Sequence, residues 1–219
     1  MTAGMIDRLT RLDKSQLLIG FGGFAILMLT VLAQSRLLRQ LDLQGIRLIS
    51  FNHSPSLIKM VNVISFFGCP PVSIILSFLI IVFVLWRRQR YIEAVWASML
   101  LLSGNAVCFL LKELVRRPRP VTMLIKDTGF SFPSGHVFST ALFVFLVWHF
   151  MVANLKKQRM REMARIGLII WLLIIALSRI YLQVHFPSDV LASVLLALGM
   201  AAFTKQGLKP LSRSERISV

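Results

Sequence analysis

The sequence predicts an all-α polytopic membrane protein with six transmembrane helices, and three observations carry that reading. Of 219 residues, 56% are apolar and only 16% are charged. The apolar residues fall in long blocks. Charges bound those blocks, which have the length, about 20 residues, that a hydrocarbon slab demands of a helix.

The first run, residues 17–33, has room for a signal-peptide core, but it is long and the string LAQSRLLRQ after it is a poor cleavage pattern. It reads as a retained span. The second, 61–86, is interrupted by Pro70 and Pro71, which predicts a short interfacial piece and then a span from about residue 72. The remaining runs are 91–111, 137–155, 166–184 and 188–204. Residues 1–219 thus read as a single six-span domain without internal repeats, ending in a solvated or headgroup-bound tail, KQGLKPLSRSERISV. Cys69 and Cys108 form no CxxC pair and stand among hydrophobes, the setting of small buried apolar residues.

A net charge of +16 invites a nucleic-acid reading. Six spans place the N-terminal segment, the loops 87–90 and 156–165, and the tail on one side. That side holds Arg8, Arg11, Arg87, Arg88, Lys156, Lys157, Lys205, Lys209, Arg213 and Arg216 among others. By the positive-inside rule it is cytoplasmic, so both termini face the cytoplasm of a cell membrane. These cations lie in short loops without interleaved aromatics, which fits topology signals and anionic lipid contacts and predicts no nucleic-acid partner.

The opposite face breaks the rule. KELVRRPRP puts Lys112, Arg116, Arg117 and Arg119 at the outer end of the third span, and Arg179 lies near the outer end of the fifth. For Arg116 and Arg117, snorkelling to lipid phosphates explains the position as well as a specific role does. Arg179 is more telling: it follows the apolar WLLIIAL, where an unpaired guanidinium is costly and needs an anionic ligand or carboxylate.

Antiparallel spans three to six bring residues 112–120, 133–136 and 178–189 to one face, and each segment suits a phosphate. Lys112, Arg119 and Arg179 supply a point charge and two planar forks of donors. In FSFPSGHVFS, Ser134 is a natural N-cap and Gly135 lets backbone approach a ligand without a Cβ, so a helix start carrying His136 points free amides at the anion. Alone, PSGH is also an ordinary capped helix start. His185 precedes Phe186, Pro187, Ser188 and Asp189, which predicts a helix from Pro187 with the Asp189 carboxylate within reach of the imidazole. A carboxylate that holds one ring nitrogen as N–H frees the other as a base or nucleophile, although Asp189 can equally cap its own helix.

Together, KELVRRPRP, PSGH and SRIYLQVHFPSD resemble the three-part signature of the type 2 phosphatidic acid phosphatase family. All three spacings agree, and the six-span layout extends the likeness over the whole chain. The resemblance implies an integral-membrane lipid phosphatase in which His185 attacks phosphorus to form a phosphohistidine, Asp189 orients it, and His136 protonates the leaving oxygen and later activates water. It also implies that Lys112, Arg119, Arg179, the Ser134 hydroxyl and the Gly135 amide hold the phosphate oxygens. No cofactor is expected, and no metal, because the surrounding cations repel a divalent ion. His149, about 20 Å from His136 at 1.5 Å per residue, reads as structural, and His53 has no assigned role.

Members of that family act on phosphatidic acid, phosphatidylglycerol phosphate, diacylglycerol pyrophosphate and polyprenyl pyrophosphates. The short loops resemble bacterial members and favour undecaprenyl pyrophosphate or phosphatidylglycerol phosphate. A phosphotransferase would use the same residues, with a second lipid or sugar in place of water. A non-enzymatic anion or lipid transporter fits less well, because span interiors offer little polar path apart from Glu93 and Asn105.

Overall fold

Helices make up the regular structure of the described residues, 14–214 in a computed structural model, with side chains described through Thr204. Of the cations noted above, Arg8, Arg11 and Arg216 lie outside that range, as do the side chains of Lys205, Lys209 and Arg213. Among the described residues six helices are long and apolar enough to cross a membrane: α1 (Lys14–Leu32), α4 (Pro70–Arg87), α5 (Tyr91–Val115), α6 (Gly135–Phe150, continued by a turn to Asn154), α7 (Gln158–Tyr181) and α8 (Pro187–Ser214), the last through Thr204. Two shorter helices stand between α1 and α4: α2 (Arg36–Ile49) and α3 (Pro55–Phe66).

The six spans match the predicted runs, with shifted ends. Helix α4 begins at Pro70, ahead of the expected start near residue 72, because a proline at the first helical positions gives up only an N–H that has no partner there. Helix α7 begins at Gln158, ahead of residue 166. Its basic first turns stay helical, with Gln158 and Arg165 both bonded to Glu162 at 2.9 Å.

The sequence reading had no helix at 36–49. That segment is amphipathic, with Leu37, Leu41 and Leu48 exposed and Asp42 and Ile46 buried, so it never forms the continuous apolar run that marks a span. Ser35 Oγ accepts from Leu38 N at 3.4 Å to open α2, and Ser54 Oγ accepts from Leu57 N at 3.3 Å to open α3.

Helices α6 and α8 form the centre, being 56% and 61% buried along their spans against 33% or less for the other four. Phe138, Leu142 and Leu146 of α6 pack with Leu100 and Leu101 of α5 and Ala192, Leu196 and Ala197 of α8. In lipid, helix association rests on such close packing and on hydrogen bonds, since hydrocarbon is as apolar as leucine. The heads of the two central helices meet where Ser134 N donates to the Asp189 carbonyl at 3.4 Å. Everything attached to those heads is held at one end of the bundle.

Candidate active site

Lys112 stands in the last turn of α5. The helix stops because Arg116 takes the left-handed conformation, φ 50°, while its N–H still donates to Lys112 O at 2.9 Å. Pro118 and Pro120 then keep the chain out of helix, and it returns so that Ser131 N donates to Arg117 O at 2.8 Å. Lys112 Nζ donates to Phe130 O at 2.7 Å.

Arg119 donates to Thr128 O at 2.8 Å, Gly129 O at 3.1 Å and Val184 O at 2.8 Å. The loop after it therefore wraps its guanidinium. Burial pushes the Arg119 pKa down, and the charges of Asp127 and Asp189 oppose that shift.

Ser134 occupies the N-cap of α6, and Phe138 N donates to its carbonyl at 3.0 Å. Its hydroxyl makes no capping bond. Ser134 is fully buried, and Oγ has no hydrogen-bond partner among the described residues. At Gly135 a Cβ would lie 3.3 Å from Pro70 Cγ and 3.9 Å from Lys112 Cε, so the lysine stem runs directly past this turn. His136 follows, and the cations of Arg179, Arg119 and Lys112 are close enough to bear on its ring.

Arg179, 2% exposed, donates through Nη1 to Ser65 Oγ at 2.8 Å and through Nη2 to Asp127, while Nε has no partner among the described residues. Asp127 Oδ1 also lies 3.2 Å from Arg119 Nη2. A single carboxylate thus bridges two guanidiniums.

The hydrogen bonds around His185, which is 1% exposed, fix its tautomer. Nδ1 lies 2.7 Å from Ser131 O, and a carbonyl only accepts, so Nδ1 carries the proton. Nε2 lies 3.2 Å from Arg119 Nη1, and a guanidinium only donates, so Nε2 presents its lone pair. Burial holds the ring's pKa well below the usual 6.5. The charges of Arg179, Lys112 and Arg119 add to that shift, and the Ser131 hydrogen bond opposes it.

The eight residues singled out in the sequence therefore gather where α5, α6, α7 and α8 end, but Asp189 is placed differently from expectation. Its Oδ2 is 3.6 Å from His185 Nδ1, too far for a hydrogen bond. Oδ1 accepts from Arg117 at 2.5 Å, and Oδ2 accepts from Phe186 N at 2.9 Å, the capping bond of its own helix. Ser131 O takes the ring N–H instead.

Sequence reasoning passed over Ser131, Asp127, Ser65 and Asp42, and left Arg117 open. Arg117 points inward, onto Asp42, Ser188 and Asp189, whereas Arg116 is exposed. The signal available for Asp127 was its place as a lone acid beside a strongly basic segment. His149 sits against the rings of Phe145 and Phe150 at the far end of α6, and His53 bonds Ser50 Oγ at 2.8 Å. Both cysteines are free.

The family model described as PAP2 superfamily matches residues 93–212, more than half of the chain and all three motif segments. The chain belongs to the PAP2 superfamily. It is similar to phosphatidylglycerophosphatase B of Bacillus subtilis (strain 168), 30% identical over 129 residues, which cover 56% of this chain and 64% of that protein. It is also similar to dolichyldiphosphatase 1 of Rhinolophus ferrumequinum, 26% identical over 166 residues, 68% of this chain and 67% of that one. The first of these alignments leaves about a third of the relative unmatched. Among solved structures, that of a transmembrane PAP2 type phosphatidylglycerolphosphate phosphatase from Bacillus subtilis superposes with a TM-score of 0.78 at 23% identity. It covers 90% of this chain and 96% of that one, and so establishes the PAP2 membrane fold. Both of these relatives carry phosphatase names.

Proposed function

We propose that this chain is a membrane lipid phosphatase that passes the phosphoryl group of a lipid phosphate monoester or pyrophosphate to His185 Nε2 and then to water. The observation that carries the reading is the unprotonated Nε2, directed to the guanidinium of Arg119 in a site lined with cations. In the first step the Nε2 lone pair attacks phosphorus, the bond to the lipid-side oxygen breaks, and His136 gives that oxygen a proton. In the second, His136 takes a proton from water, the water oxygen bonds phosphorus, the P–N bond breaks, and inorganic phosphate leaves. Nδ1 keeps its proton on Ser131 O throughout.

Lys112, Arg119, Arg179, the Ser134 hydroxyl and the Gly135 amide hold the phosphate oxygens and stabilise the charge that spreads over them. Ser131 O orients the nucleophile through the ring N–H, and the Asp189 carboxylate, 3.6 Å from Nδ1, supplies negative charge beside the ring. The cationic surroundings supply the charge neutralisation that a metal would otherwise provide, so activity survives a chelator. With the basic loops on the cytoplasmic side, the site opens to the outer face of the cell membrane, where a lipid keeps its headgroup at the border. Phosphatidylglycerol phosphate and undecaprenyl pyrophosphate are the leading substrates, one a monoester and one an isoprenoid pyrophosphate, and the names of the two matched relatives fall in the same two classes.

The test is phosphate release from a panel of lipid phosphates in detergent, with and without chelator, by wild type and His185→Ala. Release by wild type alone, unaffected by chelator, is expected. Comparable release by both proteins refutes the mechanism, and loss on chelation refutes its metal-free part.

A further inference from the structure

We propose that Arg117 and Asp42 are positioning residues for the His185–Asp189 pair, held in place by the seating of α2 on the head of α8. The proposal rests on the role given above to His185. Asp42 is 2% exposed although it lies in an amphipathic helix. Its Oδ1 accepts from Ser188 N at 2.9 Å, and its Oδ2 accepts from Ser188 Oγ at 2.7 Å and Arg117 Nη2 at 2.6 Å. A buried carboxylate persists only when paired and hydrogen-bonded, and this one is.

Arg117 stands between two acids. Nη2 goes to Asp42, and Nη1 goes to Asp189 Oδ1 at 2.5 Å and Ser188 Oγ at 2.8 Å. The guanidinium carbon lies 4.1 Å from the centre of the Phe186 ring. Three residues beyond Asp42, a Cβ at Gly45 would stand 2.7 Å from Pro187 Cγ, so α2 is pressed against the first residue of α8.

Arg117 controls both acceptors that face His185 Nδ1. Its side chain occupies Asp189 Oδ1. Its main-chain carbonyl accepts from Ser131 N at 2.8 Å and Ser131 Oγ at 3.3 Å, which aims the Ser131 carbonyl at the ring. Without the guanidinium, fully buried Asp189 loses the donor that draws Oδ1 away from the ring, and the carboxylate is free to turn toward the ring N–H, which already stands 3.6 Å from Oδ2. Moving that proton from Ser131 to Asp189 turns the ring and takes Nε2 out of line with Arg119. The planar fork of Arg117 suits this bridging, which a lysine reproduces only in part.

The test uses the full chain in detergent with dioctanoyl phosphatidic acid as probe, following released phosphate, with thermal unfolding as the folding control. Groups that orient metal-ligating histidines set activity by about 10–100-fold, and on the same scale Arg117→Gln is expected to lower kcat by about 10–100-fold, with KM changed by no more than about twofold. Arg117→Lys should regain part of the loss. Asp42→Asn, nearly isosteric, and Gly45→Ala, which lifts α2 from Pro187 without touching a charge, should lower kcat in the same KM-sparing way. Wild-type kcat in Arg117→Gln or in Asp42→Asn, or a loss confined to KM, overturns the proposal. If Arg117→Gln does not fold, Asp42→Asn and Arg117→Lys decide it. His185→Ala separates the two readings: inactive His185→Ala beside full-speed Asp42→Asn removes the positioning role only, whereas active His185→Ala removes the nucleophile itself.

Discussion

Arg119 Nη1 stands 3.2 Å from His185 Nε2, so the fork proposed to bind phosphate lies directly beside the nitrogen proposed to attack it. Arg119 is fixed there by three carbonyls, of Thr128, Gly129 and Val184. A lysine keeps the charge and loses the fork. Arg119→Lys is therefore expected to lower kcat by about 10²–10³, the scale of one lost transition-state donor, in steady-state phosphate release. Activity near wild type would show that charge alone suffices.

Ser134 Oγ is buried and has no partner among the described residues, which is the state of a donor kept for a ligand. Deleting it removes no hydrogen bond among the described residues. Ser134→Ala should leave unfolding stability unchanged or raise it, while lowering kcat by up to about 10²-fold. Equal activity, or a marked loss of stability, would contradict this.

Asp127 occupies Arg119 and Arg179 in the place where an anionic substrate would engage them. Breaking a fully buried pair by removing one partner costs about 3–5 kcal/mol, and with Asp127 22% exposed a loss of about 1–3 kcal/mol is expected for Asp127→Ala. Inorganic phosphate or vanadate should restore the unfolding temperature of the variant more than it raises that of wild type, because a bound anion replaces the missing carboxylate. An identical anion response in both proteins would argue against shared occupancy.

The depressed pKa of His185 gives a signed pH effect. Above 6.5 neither the folded nor the unfolded ring holds the second proton; as pH falls through 6.5 the unfolded chain binds one and the folded chain does not. Stability tied to this ring is thus complete above 6.5 and lost on acidification. The wild type should lose more unfolding stability than His185→Gln between about pH 7.5 and pH 5. Parallel pH profiles for the two proteins would refute it.

The spans and the cationic motifs were legible because each is a local property: a run long enough for the bilayer, or fixed spacings at the ends of such runs. The partners that finish the site were not. Ser131, Phe130 and Val184 contribute main-chain carbonyls, which every residue type carries, so no letter in the sequence signals them. Asp42 lies in a segment of mixed polarity far from every motif, and its burial arises only when α2 docks on α8. The four-residue spacing of His185 and Asp189 suggests a direct bond. The capping bond from Phe186 N and the bond from Arg117 draw the carboxylate aside.

The bond from Ser134 N to the Asp189 carbonyl joins the heads of the two central helices. One imidazole begins the first of these helices and the other immediately precedes the second. A motion that parts this junction would carry both imidazoles out of register together, so under the proposed mechanism nucleophile and proton donor would be lost in a single event.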